Sequence, residues 1–265
     1  MSISKLKLLS GLEKIASLKT QEEWDNSGLN IDSGKESFEK ILVALDVDKL
    51  SLQEAIDVKA DFMVVHHPLF FNPVTSIREA DPTGRLILEL IKNNISLYAL
   101  HTPFDKLVNN TDWTQAQGIG LKDIENLTEN NFGVKHFGLT GVYSDNVTLK
   151  DVIYKLSEAM DIEPSKIKAA GDFDSSIKKV AIVSGAGSDF ILDAKLKGCD
   201  LLITGDIKYH EACYGRDLGI CLLDPGHFNL EKAFVDLMVE RLSILAGEEA
   251  VILSSRVQKD PFNIL

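Results

Sequence analysis

Apolar positions along the chain follow two alternating rhythms. Short, nearly continuous hydrophobic runs, KILVALDV (40–47), DFMVV (61–65) and SLYAL (96–100), are separated by SLQEAIDVKA and TGRLILELIKNNI, where apolar residues recur every three or four positions. The first rhythm reads as strands and the second as helices. Strands joined by helices of this length predict parallel neighbours with right-handed crossovers, in a sheet covered on both faces. The scheme returns in KKVAIVSG (178–185), a helix through SDFILDAKLKG, then CDLLITGD and GICLLDPGH.

The second set is in register with the first. Shifted by 139 positions, Lys40 falls on Lys179, Ala55 on Ala194 and Asp61 on Asp200. A constant offset through two strands and a helix argues for an internal duplication. The chain therefore reads as two similar linked α/β domains with mainly parallel or mixed sheets. The Asn-, Gly- and Asp-rich stretch at 106–140 offers the boundary. One domain is expected over 1–125 with about 226–265, the other over 126–225. Leu149, Val152, Ile153, Leu156 and Met160 mark a helix of the second domain. A last helix through NLEKAFVDLMVERLSIL precedes EEAVILSS, a strand that either sheet would accept.

The start, MSISKLKLLSGLEKIASL, carries Leu6, Leu9, Leu12, Ile15 and Ala16 at helical spacing, which fits an amphipathic helix and not a signal peptide. No stretch approaches the ~20 apolar residues of a membrane span. A net charge of −12 over 265 residues argues against a nucleic-acid footprint and against anionic membrane. Cys199, Cys213 and Cys221 form no CxxC pair, so they read as free buried thiols of a cytoplasmic protein.

Chemistry gathers at strand ends. His66 and His67 close FMVVHHP, His101 follows SLYAL with Asp105 four residues on, and His227 follows ICLLDPG with Glu231 four residues on. Ligands of open parallel sheets bind beyond the carboxyl ends of strands, so these groups fall where a site is expected. Pro68 stops regular pairing after the double histidine. Imidazole and carboxylate together suit Zn²⁺, Mn²⁺, Fe²⁺, Co²⁺ or Ni²⁺. Two adjacent histidines hardly serve one small ion without strain; each would take one of two ions, with Glu231 or Asp105 as a bridging carboxylate. Singly, Asp105 and Glu231 also fit first-turn acids of helices, and it is the combination that favours metal. In TGDIKYHEA, Asp206 and His210 read either as a helix start, with Asp206 the cap and His210 in solvent, or as a loop offering His210 for proton transfer. In WDNSGL, Asp25 and Asn26 read as turn formers and Trp24 as a packing residue. SGAGS (184–188) lacks the lysine of a phosphate loop and reads as a tight turn. His136 lies in a loop with no evident partner.

EEWDNSGL, VALDV, EAIDVKADFMVVHHPLFF, SLYALHTPFD, KKVAIVSGAGSDFILDA, CDLLITGDIKYHEA, GHFNLE and the tail DPF span nearly the whole chain. Together they resemble the family known as GTP cyclohydrolase 1 type 2, also called Nif-three-like or DUF34 dinuclear metal proteins. That resemblance implies two divalent ions per chain, held by His66, His67, Asp105, His227 and Glu231, in the cleft between two α/β domains. It implies that His101 is a neighbour fixing a carboxylate or a water, that His210 is a proton-transfer group, and that the chain assembles into a toroidal homohexamer. The expected activity is metal-dependent hydrolysis of a small phosphorylated, nucleotide-like or cyclic-amide substrate. The alternative is a metal-binding scaffold or regulatory partner protein without turnover.

Overall fold

The computed structural model describes residues 1–107, 110–128 and 137–263, so His136 lies outside the described residues. The chain divides into two compact units, Met1–Phe104 with Phe234–Lys259 and Asp105–Ala233 with Asp260–Leu265. These divisions fall about twenty residues before the first expected boundary and eight after the second. Ala116, Ile119 and Leu121 on one side, and Leu230 on the other, belong to the second unit's apolar core. Their burial assigns both flanks to that unit.

In the first unit, β1 (Lys40–Ala44), β2 (Phe62–Val65) and β3 (Ser96–Ala99) are parallel neighbours. Every residue of β2 and β3 is buried, as a sheet covered on both faces requires. Val251–Ser254 adds in parallel to β1, which decides the allegiance of the final strand, and Gly28–Ile31 closes the other edge antiparallel to β3. Helix α1 (Lys49–Asp57) connects β1 to β2 and begins at a capping box, where the Asp48 carboxylate accepts from the Leu50 and Ser51 amides. The helix Pro82–Lys92 connects β2 to β3, with Pro82 in its first turn and the Asp81 side chain accepting from the Gly84 amide.

In the second unit, β4 (Ser176–Ile182), β5 (Leu201–Ile203) and β6 (Cys221–Asp224) run parallel, with α2 (Ile191–Leu196) between the first two. Antiparallel strands flank them: Leu139–Thr148 beside β4, Lys122–Asn126 outside that, and Lys168–Ala170 beside β6. The sheet is therefore mixed. The helix Leu149–Met160 buries Leu149, Val152, Ile153, Leu156 and Met160, the five positions its periodicity marked.

The offset seen in the sequence holds in the hydrogen bonding. Ile41, Leu42 and Val43 pair with Phe62, Met63 and Val64; at the same offset Val180, Ala181 and Ile182 pair with Leu201, Leu202 and Ile203. Asp61 accepts from the amides of Glu39 and Lys40, and Asp200 accepts from those of Lys178 and Lys179. The Ala60 amide bonds to the Ala55 carbonyl, and the Cys199 amide to the Ala194 carbonyl. Even the left-handed turn after each helix recurs, at Lys59 with φ +58° and at Gly198 with φ +75°. One β–α–β frame has been used twice.

All three cysteines are free; Cys199 is buried while Cys213 and Cys221 are only half-buried. Burial pushes the Cys199 thiol up to about 11, which keeps it protonated at neutral pH. Among the described residues no helix is long and apolar enough to cross a membrane.

Candidate metal centre

The first unit assembles its donors at the exits of its parallel strands. Beyond β2, the amides of His66 and His67 both donate to the Leu45 carbonyl, at 3.0 and 3.2 Å. Two successive amides meeting one carbonyl break the strand's alternation, so both rings turn to the same side. Their centroids lie 4.9 Å apart, and the His101 ring, from the exit of β3, lies 5.1 Å from His66 and 5.4 Å from His67. One ring nitrogen from each of the three falls within 4.8 Å of the others. His66 is fully buried against Phe234, with ring centroids 4.8 Å apart.

Each of these rings is held at Nδ1 by an oxygen. His66 Nδ1 donates to the Leu100 carbonyl at 2.9 Å, His67 Nδ1 to Asp46 Oδ1 at 2.8 Å, and His101 Nδ1 to Asp25 Oδ1 at 3.1 Å. A carbonyl only accepts, so the His66 proton sits on Nδ1 and the lone pair of the neutral ring on Nε2. The two carboxylates impose the same tautomer on their partners. Oriented imidazoles with oxygen acceptors behind them are the usual surroundings of metal-ligating histidine. Three imidazoles so oriented fit a borderline divalent ion, and on this geometry His101 belongs with the donors as much as with the groups that orient them.

Asp25 is the buried anchor of this group. Its carboxylate also accepts from the amides of Asn26 and Thr102 and the hydroxyls of Ser27 and Thr102. Burial would raise its pKa, but the hydrogen bonds from His101, Thr102 and Ser27, with the charge of His101, outweigh it and hold the group at about 2. Asp25 is thus more than a turn former. Trp24, expected to pack, is 58% exposed, and it stands edge-on to His101 at 5.6 Å.

The second unit carries a histidine–glutamate pair of its own. His227 opens the helix His227–Glu231, its Nε2 lying 2.9 Å from Glu231 Oε2 and its Nδ1 2.8 Å from Asp206 Oδ2. Glu231 is buried. Gly185, at φ +68°, comes so close that a Cβ there would sit 2.5 Å from Glu231 Oε1, and a Cβ on Gly205 would sit 2.9 Å from the His227 backbone. The glycine of SGAGS therefore makes room for Glu231. Asp112, buried and accepting from the Ser184 amide, is raised to about 7 by burial, against its bonds to Ser184 and with Glu231 adding to the shift.

Asp206 does not cap the next helix. Lys208 takes the N-cap position of Tyr209–Leu218, and Asp206, at φ +56°, turns to His227 instead. His210 sits exposed on the first turn, its ring edge-on to Tyr209 at 5.2 Å. Asp105 ends the short helix Thr102–Asp105 that begins directly after His101, and is half-buried. Asp46 and Asp206 were not singled out by the sequence as partners of these rings. Each lies 21 residues from its histidine, in a different strand exit.

The family described as Duf34/NIF3 (NGG1p interacting factor 3) matches residues 3–261. A protein of Clostridium perfringens named GTP cyclohydrolase 1 type 2 homolog is 32% identical over 262 residues, covering 97% of this chain and 98% of its own length. One of Helicobacter pylori strain J99, named GTP cyclohydrolase 1 type 2, is 31% identical over 238 residues, covering 89% of this chain and 90% of its own. The crystal structure of a Bacillus cereus protein related to NIF3 has the same fold, with a TM-score of 0.92 at 22% identity over 99% of both chains.

Proposed function

This chain belongs to the Duf34/NIF3 family, and from that premise we propose that it binds two divalent metal ions and hydrolyses a small phosphorylated, nucleotide-like or cyclic-amide substrate. In this reading the ligands are His66 and His67 from the first unit and Asp105, His227 and Glu231 from the second. The ions are drawn from Zn²⁺, Mn²⁺, Fe²⁺, Co²⁺ and Ni²⁺. The observation that carries the reading is the common tautomer: His66, His67 and His101 are each tied at Nδ1, with ring nitrogens within 4.8 Å of one another. Divalent ions in such a setting supply Lewis acidity and a water that ionises near neutral pH.

The chain's own residues have distinct tasks. Asp46 and Asp206 orient His67 and His227. Asp25 fixes His101, which steadies a carboxylate or a water beside the ions. His210, exposed on its helix, exchanges a proton with solvent. The names of the two bacterial relatives make GTP the first substrate to assay. With the family resemblance goes a homohexamer, which sedimentation tests, and free cysteines accord with a cytoplasmic location.

Elemental analysis and calorimetry of metal-loaded protein should find two ions per chain, and turnover of GTP or a phosphoester should depend on them. His66→Ala combined with Glu231→Ala should abolish both. Turnover that survives this double substitution sinks the hydrolytic reading. Metal binding without turnover, with the oligomer falling apart on chelation, would favour the scaffold instead.

A further inference from the structure

Two large aromatic side chains border the imidazole group of the first unit, and neither is buried. Trp24 is 58% exposed and Phe71 is 44% exposed. Both meet the same ring edge-to-face: Trp24 lies 5.6 Å from His101 at 73°, and Phe71 5.5 Å from it at 66°. Their own centroids are 6.2 Å apart with planes inclined at 42°. The rings therefore diverge as two walls instead of stacking on each other.

Loose loops do not account for this exposure. Trp24 precedes Asp25, whose carboxylate is held by five groups. Phe71 follows Phe70, whose carbonyl accepts from Asn26 Nδ2 at 2.7 Å, and the Leu69 amide donates to Asn30 Oδ1. The Asn26 bond ties the two aromatic loops directly to each other. Fixed, exposed aromatic faces beside a polar donor group are the arrangement with which proteins hold flat rings. The electron-rich face of an indole prefers an electron-poor partner, and stacking tolerates any planar base.

We propose that Trp24 and Phe71 are positioning residues that clasp a planar heteroaromatic ring of the substrate beside His101. The assignment rests on the imidazole group being the reaction centre. It narrows the substrate to compounds with a flat conjugated ring and disfavours simple sugar phosphates. Neither side chain takes part in bond making. They fix where the ring lies, and the ring's substituents then reach the donors.

The chain has two tryptophans, so Trp113→Phe leaves Trp24 as the sole indole reporter. Zinc-loaded protein with that substitution is titrated with guanosine and, separately, with ribose 5-phosphate. Guanosine should quench Trp24 emission saturably, and ribose 5-phosphate should leave it unchanged. Phe71→Ala in the same background should weaken guanosine about tenfold, the scale of one lost stacking contact. Trp24→Ala, followed by equilibrium dialysis, should do the same, and Trp24→Tyr should restore most of the affinity. Zinc affinity by calorimetry should stay constant throughout, which a general structural defect would not allow.

Unchanged guanosine affinity in Phe71→Ala and Trp24→Ala, or equal binding of ribose 5-phosphate, overturns the assignment. The guanosine titration is repeated on chelated protein. Quenching without any zinc binding would remove the metal reading and leave the ring site standing. Zinc binding without quenching would do the reverse.

Discussion

The second strand of each repeat leaves its sheet one register position apart, after Val65 in the first unit and after Ile203, the match of Val64, in the second. Through Val64 and Ile203 the two frames pair residue for residue, and the first unit adds one further pair, Ala44 with Val65. Beyond it they part: His66 and His67 follow in one, Gly205 and Asp206 in the other. Yet both exits serve one device, an aspartate holding an imidazole at Nδ1 over 2.8 Å. In the first unit Asp46 comes from the exit of β1 and His67 from that of β2. In the second the whole pair is moved one strand along, with Asp206 after β5 and His227 after β6. The frame is fixed by backbone pairing and burial, whereas the exits, free of the ladder, are where chemistry can be exchanged.

The sharpest way to break this comparison is to give the first exit the second's residue. If the two proposed ions are bound, His67→Asp should reduce metal content, by elemental analysis, to one ion or fewer. Asp206→Asn, which removes only an orienting group, should weaken zinc by about 10–100-fold in calorimetry. A smaller effect tests the shared frame. Asp61→Ala and Asp200→Ala each strand two amides, so each should cost about 2 kcal/mol in urea unfolding. If one cost nothing while the other unfolded the protein, the two frames would not be energetically equivalent. The smallest effect lies at the left-handed turns. Lys59→Gly should relieve strain and Gly198→Lys should introduce it, with opposite shifts each below about 1 kcal/mol.

The parallel strands were legible in the sequence because they are built on short apolar runs bounded by polar turns, whereas the antiparallel Leu139–Thr148 and Lys122–Asn126 carry no such run. Val43 and Ile182 occupy matching ladder positions. His66 and His67 could be placed at a strand exit because they follow such a run at once, and His227 because only Pro225 and Gly226 separate it from another. Asp25 could not, since its partner His101 is 76 residues away and WDNSGL has the composition of any turn. Trp24 was misread for a related reason: an indole in a short polar segment usually packs, and only tertiary structure reveals that its face stays in water. The boundaries moved because Ala116 and Leu230 carry too little local pattern to show which core they fill.

The strand Val251–Ser254 has a consequence for how the chain is made. It completes the sheet of the first unit, and just beyond it Gln258 reaches back, its carbonyl accepting from the Leu45 amide and its amide donating to the Asp46 carbonyl. A ribosome delivers these residues only after every residue of 105–233 has emerged. The loop that bears Asp46 must therefore wait, partly formed, while the body of the second unit, Asp105–Ala233, is free to mature first. Until then the first unit exposes an unpaired parallel edge along β1, an opening for a folding helper or for mispairing with a neighbouring nascent chain.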